Sequence, residues 1–191
     1  RLEMRTNLSS NHSSGRFVCE EHSAAARKIG ADGIVLLKNE GGLLPIDIDN
    51  VHKVLVVGEN AVKMMTVGGG SSSLKVKYEI SPLDGIRSAL AGKADVVYER
   101  GEYNGVTSGQ DLSESRSSEQ LIADAVAAAK DADYVIFVGG LNKSIGQDCE
   151  GYDRESLSLP YGQDKVVEAL AKVNSNIVFV TLGTGVGGGI I

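Results

Sequence analysis

Asp148, Glu150, Asp153, Arg154 and Glu155 crowd the polar stretch between Gly139 and Pro160. Carboxyls beside a guanidinium are the raw material of general acid–base catalysis, because burial and neighbouring charge can drive one carboxyl pKa up and another down. The same residues would also make an ordinary solvated loop braced by an Asp153–Arg154 ion pair, which contributes little when exposed. Position bears on the choice. The stretch follows an apolar run, Tyr134-Val-Ile-Phe-Val138, and precedes an amphipathic pattern that starts at Gln163. Long irregular connections are unusual inside a compact domain and are commonly functional. In an open α/β sheet this one emerges at the carboxyl ends of the strands, where ligands bind.

A second stretch with chemical potential is Thr66-Val-Gly-Gly-Gly-Ser-Ser-Ser73, which follows the apolar run Lys53-Val-Leu-Val-Val57. Bare backbone amides after a strand can cradle phosphate. Neither G-x-G-x-x-G nor G-x-x-x-x-G-K-[ST] is present, so no nucleotide cofactor is expected. Gly69, Gly70 and Ser71 instead suit close backbone approach to a neutral ligand or to another domain. His12, His22 and His52 are scattered without metal-ligand spacing, so no metal is expected. Cys19 and Cys149 lie far apart and form neither a disulfide scaffold nor a zinc motif, which leaves two free thiols.

The elements that must position these residues follow from periodicity. Glu20 to Gly30 carries Ala24, Ala25, Lys28 and Ile29 at helical spacing behind an acidic start. Gly33-Ile-Val-Leu-Leu37 reads as a short strand, Asn39 to Gly42 as a turn, and Lys53 to Val57 as a strand buried on both faces. Ser81-Pro-Leu-Asp84 opens a helix with Ser as N-cap and Pro at the first helical position, and Gly92 stops it. Asp95 to Tyr98 is a strand, followed by a polar, glycine-containing loop to Ser117. Ser118 to Lys130 is a helix with Leu121, Ile122, Ala125, Val126 and Ala129 on one face. After the strand Tyr134 to Val138, a helix from Gln163 to Val173 turns Val166, Val167, Leu170 and Ala171 inward, and Asn176 to Leu182 is the final strand. Strand–helix alternation predicts an α/β fold with a mostly parallel sheet sandwiched between helices. A polar tail over residues 1–16 would precede a single domain over 17–191.

Composition narrows the partners. The 191 residues suffice for one well-cored domain, and 42% hydrophobic with 23% charged is ordinary for a globular protein. A net charge of -6 without a basic cluster argues against nucleic acid. No run approaches the about 20 apolar residues of a membrane span. With no Trp, a complete sugar site built from this chain alone would lack its usual stacking surface. The residues leave the compartment open.

Four ordered segments carry a resemblance: AARKIGADGIVLLKNEGGLLPI, KVLVVGENA, GGGSSSLKVKYEISPLDGI and GLNKSIGQDCEGYDRESLSLPYGQDKVVEAL. Together they resemble the C-terminal α/β-sandwich domain of family 3 glycoside hydrolases, over roughly Glu20 to Leu182. The resemblance implies a partner, an N-terminal (β/α)8 barrel that supplies an aspartate nucleophile, and a β-linked glucoside or oligosaccharide as substrate. It implies that Glu150, in Glu150-Gly-Tyr-Asp-Arg154, is the acid/base. It gives Asp153 and Arg154 a supporting role and places Gly69, Gly70 and Ser71 near a sugar subsite. Asp148 is the competing carboxyl. No barrel and no Ser-Asp-Trp motif is present, and the glycine-rich ending departs from the family pattern, so the chain is expected to be a truncated domain or one half of a split enzyme, inactive alone. The alternative is a non-catalytic carbohydrate- or protein-binding module with the same fold.

Overall fold

The computed structural model describes residues 15–16, 19–66, 75–102, 114–142, 153–183 and 188–190. The chain forms two compact units, Arg1–Asp32 and Gly33–Ile191. The first unit contains helix α1 (Glu20–Asp32), with Glu20 and Glu21 in its first turn where the helix dipole favours negative charge. Lys28 and Asp32, one turn apart, pair at 2.6 Å. The helix expected from the spacing of Ala24, Ala25, Lys28 and Ile29 is present; none of its residues is buried, and Ile29 is 71% exposed. Alanine content and local ion pairing favour a helix here without burial.

The second unit is built on a sheet of β1 (Val35–Leu36), β2 (Lys53–Val57), β3 (Asp95–Glu99), β4 (Tyr134–Gly140), β5 (Ile177–Leu182) and β6 (Gly188–Ile190), in the order β1-β6-β5-β4-β2-β3. Every neighbouring pair is parallel except β5 and β6. The central strands are apolar throughout because both faces are covered, and alternate residues serve opposite layers. Val54, Val56, Ile136 and Val138 pack with Leu83 and Leu90 around helix α2 (Pro82–Ala89) on one face. Leu55, Val57, Val135 and Phe137 pack on the other with Ala125 and Ala129 of α3 (Ser118–Ala129) and Val166 and Leu170 of α4 (Gln163–Ala171). Phe137 and Phe179 add a ring contact at 5.3 Å.

The helix starts form as their sequences dictate. Ser81 Oγ accepts the Asp84 N–H at 3.1 Å with Pro82 opening α2, and Ser117 Oγ accepts the Gln120 N–H at 3.2 Å. Gly92, at φ 75°, follows the end of α2. Asn39 closes its turn by exchanging two hydrogen bonds with the Leu44 backbone.

Some expectations are corrected. The strand read over Gly33–Leu37 shortens to Val35–Leu36 on the sheet edge, and both residues are exposed. The strand ending at Leu182 is not the last: Gly188–Ile190 turns back antiparallel to it, which glycine content hides from any search for apolar runs. Ala171, expected inward, is exposed, while Gln163 of the same helix is fully buried. The amphipathic stripe of α4 therefore starts with a polar residue, and that residue has a partner described below.

Candidate functional site

β2, β3 and β4 are parallel and in register, with Val57 opposite both Glu99 and Phe137, so their carboxyl ends lie along one edge. Each strand there releases a polar sequence: Gly58-Glu-Asn60 after β2, Arg100-Gly-Glu102 after β3, and Leu141-Asn142 after β4. Glu59, Asn60, Arg100, Glu102 and Asn142 are all buried. Burying polar groups is costly unless partners compensate, so five together mark this edge as a polar centre, although Glu59 Oε2, Asn60 Oδ1 and Glu102 Oε2 accept no hydrogen bond among the described residues.

Its two guanidinium groups are each shared among carboxylates. Arg100 Nη2 lies 3.5 Å from Glu59 Oε2, and its Nη1 lies 3.8 Å from Glu114 Oε2. Glu114 in turn binds Arg116 at 2.9 Å, and Arg116 reaches Asp124 at 2.8 Å and Glu99 at 3.4 Å. Hydrogen bonds from Arg116 hold the Glu114 carboxyl down to about 2, and those of Glu114 and Asp124 raise the guanidinium. Glu102 goes the other way. Burial lifts its carboxyl to about 8; the Glu59 N–H, donating to Oε1 at 3.4 Å, and the Arg100 charge oppose the rise, whereas the Glu59 charge adds to it. Glu102 therefore keeps its proton at neutral pH. Burial also raises the Tyr98 phenol, whose hydroxyl donates to the Gly58 carbonyl at 3.4 Å.

The exit of β4 is held by two amides. Asn60 Nδ2 donates to the Gly139 carbonyl at 3.0 Å and to the Leu141 carbonyl at 3.4 Å. Gln163 Oε1 accepts the Gly140 N–H at 2.8 Å while its Nε2 donates to the Gly140 carbonyl at 3.0 Å. Glycine is required at Gly58 and Gly140. Both have positive φ, and a Cβ would fall 2.3 Å from the Val138 carbonyl oxygen at Gly58 and 2.1 Å from the Leu182 carbonyl oxygen at Gly140.

The residues proposed from sequence are placed as follows. Glu150, Asp148, Gly69, Gly70 and Ser71 lie outside the described residues, as does Cys149; Cys19 is a free thiol. Asp153 and Arg154 are described, and no ion pair joins them. Instead Arg154 Nε donates to the Ser156 carbonyl at 2.7 Å. Arg154, Glu155, Ser156 and Ser158 line a cleft of about 310 Å3 with Leu141 and Leu159, beside the exit of β4. A larger cleft of about 610 Å3 lies between the Lys38–Leu44 segment and the amino end of β5, away from the polar centre. Among the described residues no group of His, Cys, Asp or Glu is arranged to hold a metal ion. None of their helices is long and apolar enough to cross a membrane.

Sequence reasoning missed Glu59, Asn60, Arg100, Glu102 and Gln163 as members of one site. Part of the signal was legible: Glu59, Arg100 and Glu102 each lie within three residues of a strand's end and beside a glycine, whereas Asn60 has no glycine neighbour and Gln163 opens a helix.

Known proteins share this arrangement of chain. A β-glucosidase of Bacteroides ovatus, BoGH3A, is 44% identical over 187 residues, which is 94% of this chain and 25% of that protein. An exo-α-(1→6)-L-arabinopyranosidase of Bifidobacterium longum is 31% identical over 86% of this chain and 21% of its own length. The crystal structure of a GH3 β-glucosidase of Bifidobacterium adolescentis superposes with a TM-score of 0.75 at 28% identity, covering 100% of this chain and 27% of that one. The chain thus spans about a quarter of the length of the curated relatives it matches. Residues 34–186 match the glycosyl hydrolase family 3 C-terminal domain, and with the sheet, its helical layers and the 44% relative in agreement, the chain belongs to that family.

Proposed function

We propose that this chain is the second domain of a retaining β-glucosidase-like glycoside hydrolase and that Glu150 is its acid/base. The supporting observation is the 44% identity to a β-glucosidase over nearly the whole chain but only a quarter of that enzyme. The remaining three quarters would hold the (β/α)8 barrel with the nucleophile, and the substrate would be a β-linked glucoside or oligosaccharide. A retaining mechanism needs two carboxyls about 5–5.5 Å apart, one attacking the anomeric carbon and one protonating the leaving oxygen. Glu150 sits in the Glu-Gly-x-Asp-Arg sequence of the segment that leaves β4 at the polar edge. Gly69, Gly70 and Ser71 would border a sugar subsite, and Asp153 and Arg154 would support the acid/base segment.

The test is made in the full-length enzyme that carries this domain. Glu150→Gln is expected to lower hydrolysis of cellobiose by about 10²–10⁴-fold, the usual contribution of a positioned acid. Near-normal cellobiose hydrolysis would overturn the assignment and move the search to Asp148. The isolated chain is expected to release no nitrophenol from nitrophenyl β-glucoside, since one carboxyl without its nucleophile forms no glycosyl-enzyme.

A further inference from the structure

We infer that Gln163 is a positioning residue for the acid/base segment, with its amide joining the two ends of that segment across the polar edge. The inference rests on the functional assignment of Glu150 made above. Residues 141–162, which include Glu150, begin directly after Gly140 and end directly before Gln163. Gln163 opens α4, and its side chain takes both polar groups of Gly140: the N–H at 2.8 Å and the carbonyl at 3.0 Å. One fully buried side chain therefore ties the point where the segment leaves the sheet to the point where it returns.

The surroundings are shaped to admit that amide. A Cβ at Gly139 would lie 2.6 Å from Gln163 Oε1 and 2.5 Å from Phe137 Cε1, so only glycine leaves the room. On the β2 side, sheet pairing stops at Val57 with Phe137. There Asn60, also fully buried, continues the pairing by donating to the Gly139 and Leu141 carbonyls. The Leu141 N–H donates to the Leu182 carbonyl at 2.8 Å. The peptide groups at the exit of β4 are thereby held from three directions. The side-chain amide offers the donor and the acceptor that Gly140 requires from two separate atoms; an ionised carboxylate at 163 would keep the acceptor and lose the donor. A shift of about 1 Å in a reacting group can cost on the order of 10²-fold in rate, so an anchor at the base of the segment can act on chemistry it never touches.

A glutamine that merely satisfies buried backbone would affect all substrates alike. A positioning residue for the acid would not. The experiment uses the full-length enzyme with Gln163→Ala, Gln163→Glu and Glu150→Gln, and compares kcat/KM on cellobiose and on 2,4-dinitrophenyl β-glucoside. Dinitrophenolate departs without a proton, whereas the sugar leaving group of cellobiose needs one. The ratio of the two kcat/KM values does not depend on how much of the variant folds, and Gln163→Glu retains side-chain volume should Gln163→Ala be obtained in no active form. The expected result for both Gln163 variants is a loss on cellobiose on the order of 10²-fold beyond any loss on the dinitrophenyl substrate. An unchanged ratio in the Gln163 variants, with a large change in Glu150→Gln, would overturn the positioning role alone. An unchanged ratio in Glu150→Gln would overturn the assignment of the acid itself.

Discussion

Arg100 and Glu59 face each other at 3.5 Å across the carboxyl ends of β3 and β2, with their side chains only 6% and 7% exposed. Two charges so far out of water are costly singly and tolerable together. Glu114, 3.8 Å away on the other side of the guanidinium, makes Arg100 the shared cation of two acids. Replacing Arg100 with Met would leave Glu59 buried without that cation, and breaking a buried pair from one side costs about 3–5 kcal/mol. The midpoint of urea unfolding measures it; a loss below about 1 kcal/mol, the range of exposed pairs, would show that the pair is solvated.

Glu102 predicts a pH dependence of opposite sign to that of most carboxylates. Its pKa rises from an ordinary 4.5 to about 8 in the folded chain, so between those values the folded state holds a proton that the unfolded state has lost. Stability contributed at this site therefore falls as pH rises from about 4.5 to about 8 and is level outside that window. Glu102→Gln removes the titration. The stability difference between variant and wild type should move in the variant's favour from pH 5 to pH 8. A pH-independent difference would mean that Glu102 is ionised in the fold.

Asp133 acts at the opposite end of the sheet. Its Oδ2 accepts the N–H groups of His52 at 2.7 Å and Lys53 at 2.8 Å, tying the start of β4 to the start of β2. These bonds lower its pKa from 3.8. A depressed acid contributes stability that is fully present above 3.8 and is lost as pH falls through the folded value. Asp133→Asn should be less stable than wild type at pH 7, with the gap closing on acidification below 3.8. Thermal unfolding at pH 7 and pH 3 checks this, and a gap that persists at the acid end would point to packing rather than charge.

Gly140 is the most constrained backbone position at the edge. It holds φ at 93°, and an added Cβ would meet the Leu182 carbonyl oxygen at 2.1 Å. Gly140→Ala should therefore cost more than the about 1–3 kcal/mol of left-handed backbone strain alone, with chemical denaturation as the measure. Gly92, also at positive φ but with open space around it, is the matched control, and Gly92→Ala should show the strain without the clash.

Much of this was legible in the amino-acid order because it is local. Apolar runs of strand length, helical periodicity in α3, the Ser81-Pro82 start of α2 and the turn at Asn39 each depend on neighbours within a few residues. The order of the four family segments was equally readable, and with it the candidacy of Glu150. The sequence did not determine which strand lies beside which. Strand order brings Glu59, Arg100 and Gln163 to one edge from positions far apart in the chain, and no local pattern encodes that meeting. It did not reveal that α1 buries nothing, that β6 runs antiparallel, or that Arg154 turns to a carbonyl rather than to Asp153. Gln163 shows the division most clearly. As a letter it is a polar residue at a helix start; its pairing with Gly140 exists only because the sheet and α4 close on the same point, where a buried amide must find a partner.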